Sequence, residues 1–287
     1  MEAIERTHIL IPTDLEECAE RALQTAMTWA AVTPVYLHLC HAVAGMPDDW
    51  DAWPAEEKAQ HGALARAVKR AEEAFAEWGR ELVARQIPGT FELWGGVLLD
   101  RLQAYLRTQS IDYVFIGARG SHARKYDRLG SHAEQIVRAV GLPVLVAKDR
   151  VPVSIRSVIF ASTFDNHAKA SFARFLRMIQ PFTPTVHLLN IDSPSFYTEP
   201  QALIVPAMQE FRAMAAGFDC QLHVYPDQRV ERGILEFSQE IGADLIALAR
   251  WSDRLFPGDR LNKGLVRLIH SPGVPVVLID EHADNPD

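Results

Sequence analysis

Short apolar runs separated by longer amphipathic stretches set the pattern of this chain. His8-Ile9-Leu10-Ile11-Pro12 is the first run and 35–43 the second, each read as a buried strand. Between them, 15–31 has helical character. A loop at 44–54 carries Gly, Pro and Asp with Trp50 and Trp53, and one long helix is predicted over about 55–86. Along it Leu64, Val68, Ala71, Phe75, Trp78 and Leu82 recur at steps of three and four, which places them on one face. That is the pattern of a helix covering a sheet. Phe91-Glu92-Leu93-Trp94 reads as a weak third strand, 97–108 as a helix and Tyr113-Val114-Phe115-Ile116 as a fourth strand. Residues 133–139 open another helix, and Gly141-Leu142-Pro143 leads into a fifth strand, Val144-Leu145-Val146-Ala147. Strands alternating with helices five times predict an α/β domain whose parallel sheet is covered on both faces.

After 148–152 the order begins again. Ser157-Val158-Ile159-Phe160-Ala161-Ser162-Thr163 matches the first strand, and 186–191 matches the second. Asp112 and Asp244 are 132 positions apart, as are Pro143 and Pro275. Asp14 and Thr163 are 149 apart, so the second half is 17 residues shorter, mostly where the first has its long helix. The chain is an internal duplication, with domains expected at 1–150 and 151–287.

Composition narrows the function classes. The formal charge of -8 argues against nucleic acid or an anionic membrane as the main partner. No apolar run is long enough to span a bilayer. The first residues carry acids and no apolar core, so no signal peptide is expected. Cys18, Cys40 and Cys220 are odd in number and lack metal-ligand spacing, which fits a reduced, cytoplasmic compartment. His38 and His41, three apart on a strand, point to opposite faces and make no metal pair.

Candidate chemistry gathers after the fourth strand. Gly117, two residues, Gly120, nine residues, then Gly130-Ser131 joins that strand to a helix. Glycine lets backbone approach a ligand closely, and a helix N-terminus favours an anion. The loop therefore fits a phosphate cradle. On its own it equally fits a turn shaped by Gly117 and Gly120, with Ser131-His132-Ala133-Glu134 as a capping box. Arg119, Arg124, Lys125 and Arg128 crowd the loop, where they either neutralise phosphates or lie solvated. Asp14, at the end of the first strand, reads at its simplest as a cap in the box Asp14-Leu15-Glu16-Glu17. The second copy keeps the length of the motif but reads Ala249, Ser252, Asn262 and Lys263.

With Asp14, Gly117, Gly120, Gly130, Ser131 and the closing Leu142-Pro143-Val144-Leu145-Val146, the chain resembles the universal stress protein family in its tandem two-domain form. The resemblance covers both halves. It implies two flavodoxin-like, HUP-type domains, each an open five-stranded parallel sheet of order 3-2-1-4-5 with helices on both faces. It also implies dimeric association through the last strand. Members with the full motif bind ATP, which places adenine near Pro12, Thr13, Asp14 and Ala42 and the phosphates near Gly117, Gly120, Gly130 and Ser131. Ala42 departs from the more usual valine.

The expectation is a cytoplasmic stress-response protein that binds ATP in its first domain and acts by binding and signalling. Asp14 could hold Mg²⁺ on a bound triphosphate, but no positioned base is identifiable, no catalytic residue is assigned and no protein metal site is expected. A nucleotide-free scaffold and a weak ATPase are the alternatives. The two domains are expected to pair through their fifth strands, which leaves a compact monomer and a homodimer of tandems both open.

Overall fold

The computed structural model describes residues 5–118, 131–193, 201–249 and 263–279. The first half runs β1 (Thr7–Pro12), α1 (Glu17–Ala30), β2 (Val35–Val43), α2 (Ala55–Gln60), α3 (Gly62–Ala84), β3 (Gly89–Gly95), α4 (Leu98–Thr108), β4 (Tyr113–Gly117), α5 (Ser131–Ala139) and β5 (Val144–Ala147). The second runs β6 (Ser157–Ala161), α6 (Ala168–Ile179), β7 (Thr185–Asp192), α7 (Gln201–Met214), β8 (Cys220–Pro226), α8 (Val230–Glu240), β9 (Leu245–Ala249), α9 (Lys263–His270) and β10 (Val276–Ile279).

The strands form one sheet of ten, ordered β3-β2-β1-β4-β5-β10-β9-β6-β7-β8. Each half has the order 3-2-1-4-5, and the two meet at their last strands. There β5 and β10 pair antiparallel, with Val146 opposite Val276 and Leu145 opposite Val277. The expected pairing of the halves is thus built into the sheet, and each fifth strand covers the other's open edge.

Successive side chains of a strand point to opposite faces, and the two cores follow that alternation. Ile9, Ile11 and Phe115 lie in one core, and Leu10, Val114 and Ile116 lie in the other. Both cores cross the junction. Phe160, Phe172 and Phe211 of the second half join the first cluster, and Ile159, Ile234 and Leu268 join the second. Trp29 on α1 packs edge-on against Phe115 at 5.1 Å and against Phe182 of the second half at 4.9 Å.

Polar contacts fix the connection between the halves. Lys148 is buried and donates to Leu268 O at 2.6 Å and to Ser271 Oγ at 3.2 Å, at the end of α9. Burial pushes its ammonium down to about 7, against the pull of Asp149. Asp149 Oδ1 accepts from Gly273 N at 2.7 Å, and Thr28 Oγ1 donates to Pro152 O at 2.7 Å.

Two elements depart from expectation. The long helix over 55–86 is two helices, broken at His61, whose ψ is 48°. The first, α2, buries no residue; beside it Val43, Trp50 and Val68 form a small core, against which Trp53, Leu64 and Ala65 pack. Lys58 Nζ lies 5.4 Å from the Trp50 ring, and His61 packs against Trp53. Beyond the break, Val68, Ala71, Phe75 and Leu82 are buried on one face as the periodicity required. The third strand is also longer than Phe91–Trp94, because pairing with β2 extends it from Gly89 to Gly95.

Candidate functional site

The chain changes direction across the sheet between β1 and β4. It runs outward from β1 through β2 to β3, then returns to β4 and runs the other way. β1 and β4 are neighbours, with Ile9 beside Tyr113 and Leu10 beside Val114. Their carboxyl ends flank a switch point, where open α/β sheets take ligands. Asp14 follows one strand, Gly117 ends the other, and Ser131 opens α5. Ala42 sits near the end of β2, the other neighbour of β1, and Pro12 pairs with Cys40 on that strand. Gly120, Gly130, Arg119, Arg124, Lys125 and Arg128 lie outside the described residues, as do Ser252, Asn262 and the side chains of Ser131 and Lys263.

The turn after β1 is built by its own polar atoms. Leu15 adopts φ 61°, an unusual left-handed conformation for a bulky residue. The buried Thr13 meets it by accepting the Leu15 N–H on Oγ1 at 2.8 Å. Thr13 N donates to Cys40 O at 2.8 Å, and His41 Nδ1 lies 2.7 Å from Thr13 O. Asp14 Oδ1 accepts from Glu16 N at 3.1 Å. This corrects the capping-box expectation for Asp14. A left-handed Leu15 turns the chain before the helix begins, so the carboxylate closes a local two-residue turn, and Glu16 stands at the N-cap with no side-chain cap bond. Asp14 is exposed, and its Oδ2 meets the Cys18 thiol at 3.8 Å. Burial, and then the Asp14 carboxylate, push that thiol above its ordinary range, which makes it a poor nucleophile.

Gly117 has a reason that the sequence did not show. A Cβ there would lie 2.1 Å from Cys18 O and 2.8 Å from Ala19 N. The first turn of α1 rests on the end of β4, backbone against backbone. In the second half Ala249 stands in this place, beside a helix that begins at Ala168, the counterpart of Ala19.

The second half repeats the turn in detail. Phe164 has φ 59°, Ser162 Oγ accepts from Phe164 N at 3.0 Å, and Ser162 N donates to Leu189 O at 3.1 Å. Asn190 Nδ2 donates to Ser162 O at 3.1 Å, where the first half uses His41. The difference lies between the hydroxyl and the left-handed residue. Thr163 replaces Asp14 and turns its hydroxyl to Asp165 Oδ2 at 3.2 Å. The roles of Thr13, Leu15 and His41 were missed from the sequence, although the 149-residue offset aligns Thr13 with Ser162 and His41 with Asn190.

The two strand histidines separate as expected. His38 is buried among His8, 2.9 Å away, and Tyr105, 2.8 Å away, while His41 braces the turn. Among the described residues no group of three His, Cys, Asp or Glu could hold a metal ion, and no helix is long and apolar enough to cross a membrane.

The family model that matches the chain over residues 5–148 is that of the universal stress proteins. The chain belongs to the universal stress protein family. The match covers the half that carries the glycine motif, and the duplicated sheet extends the same fold through the other. A universal stress protein from Archaeoglobus fulgidus DSM 4304 is similar in structure at a TM-score of 0.72 and 17% identity, over 96% of this chain and 98% of that one. A putative universal stress protein from Pseudomonas aeruginosa UCBPP-PA14 is similar at 0.66 and 16% identity, over 97% and 94%. A search of curated proteins finds no match.

Proposed function

We propose that this protein binds ATP in its first half and acts by binding and signalling. The pairing of β1 with β4 carries the reading, because it sets Asp14 and Gly117 at the carboxyl ends of neighbouring strands. Pro12, Thr13, Asp14 and Ala42 would take the adenine end, and Gly117, Gly120, Gly130 and Ser131 the phosphates at the start of α5. Asp14 fits a further role at Mg²⁺ on the phosphates, since it is exposed and only its Oδ1 is taken by a backbone N–H. The domains at 1–150 and 151–287 would then divide the work, with the second holding no nucleotide.

Equilibrium dialysis with ATP tests this. The expected stoichiometry is one per chain, removed by Gly130→Val and untouched by Lys263→Ala. Two per chain, with the second lost in Lys263→Ala, would overturn the assignment to one half. Gly117 supports a second reading, a nucleotide-free scaffold, because helix packing alone accounts for that glycine. No binding at saturating ATP would decide for it.

A further inference from the structure

We propose that His41 is a positioning residue of the ligand site, holding the Asp14 peptide through the Thr13 carbonyl; this rests on the ATP reading above. Thr13 O can only accept, so the His41 Nδ1 that lies 2.7 Å away carries the proton. The carbonyl it holds belongs to the planar peptide that joins Thr13 to Asp14. Bracing that oxygen fixes the plane from which the Asp14 backbone departs. The other side of Asp14 is fixed by Thr13 Oγ1 on Leu15 N and by Asp14 Oδ1 on Glu16 N. Leu15 is left-handed, a conformation its side chain disfavours, so the turn depends on these bonds to persist.

The duplication separates this role from general support of the fold. Asn190 makes the same bond to Ser162 O in the half where Thr163 stands in place of Asp14. An amide therefore suffices to hold the turn, and His41→Asn is an exchange the chain already contains. Removing the brace should disturb the turn in either half, but ligand affinity only in the first.

The test uses the full chain and two measurements. Calorimetry gives ATP affinity, and amide hydrogen exchange on the nucleotide-free protein follows Leu15 and Glu16. His41→Leu is expected to weaken ATP by about tenfold, because part of the binding energy then goes to re-ordering the turn, and to speed exchange at both amides. His41→Asn is expected to restore both, and Asn190→Leu to leave ATP affinity unchanged. If His41→Leu fails to fold, His41→Ala serves in the same comparison. Unchanged affinity and exchange on removing the ring would overturn the proposal. So would a His41→Asn variant as weak as His41→Leu, or an equal loss of ATP binding in Asn190→Leu. Wild-type protein that binds no ATP would refute the nucleotide reading, and exchange would still decide whether His41 holds the turn.

Discussion

At the scale of single residues, one position serves two demands. Gly117 lies in the motif that suggested a phosphate cradle, yet the direction of its absent Cβ is filled by the backbone of Cys18 and Ala19. Both atoms at closest approach are main chain, so the helix would have to move. Gly117→Ala should therefore cost about 1–3 kcal/mol, the usual range for overpacking, read as a lower urea midpoint. Ala249→Gly, at the matching place, should change stability by about 1 kcal/mol or less. A Gly117→Ala protein as stable as wild type would show that α1 does not rest on β4 as described. The same substitution should weaken ATP, because the first turn of α1 and Asp14 would shift together.

At the scale of elements, both halves place a histidine pair across neighbouring strands. His38 on β2 meets His8 on β1, and His187 on β7 meets His223 on β8 at 3.0 Å. Burial, then the charge of His8, push His38 down to about 4 from an ordinary 6.5. Burial and the paired ring lower His187 against the pull of Asp219, and burial lowers His223. With folded values below the unfolded one, the unfolded chain binds more protons in this window. The histidines' contribution to stability should be full above pH 6.5 and decline as pH falls towards 4. Urea unfolding at pH 7 and pH 5 checks this, and His38→Leu should show a shallower decline than wild type. The sequence made much of this scale legible. Apolar runs locate the strands, the offsets locate the duplication, and the same pattern puts Asp14 and Gly117 at strand ends. It did not show the break at His61, because the segments on both sides are helical and the apolar pattern begins only at Leu64, beyond the break. Nor did it show the left-handed Leu15, which Thr13 and His41 enforce from positions that propensity does not couple.

At the scale of the whole molecule, the junction of β5 and β10 makes one structure of two repeats. Each of these strands is buried along its length, and each would present an open apolar edge if its partner left. The two cores run through the junction, and Trp29 lies between aromatic rings of both halves. The halves should therefore unfold together. Five of the six tryptophans, Trp29, Trp50, Trp53, Trp78 and Trp94, lie in the first half, so fluorescence reports mainly on that half. A substitution in the second half then tests the coupling. Val277 is fully buried opposite Leu145. Val277→Ala removes two methyl groups and should cost about 2 kcal/mol. If the chain is one cooperative unit, the fluorescence and circular dichroism midpoints should coincide in wild type and fall together in the variant. A fluorescence transition left in place while the dichroism divides into two steps would mean that the halves fold independently and that β5 and β10 dock without cooperation. The covered edges also bear on assembly. Because each fifth strand already has its partner within the chain, a second copy has no open fifth strand to pair with, and any homodimer must form through another surface.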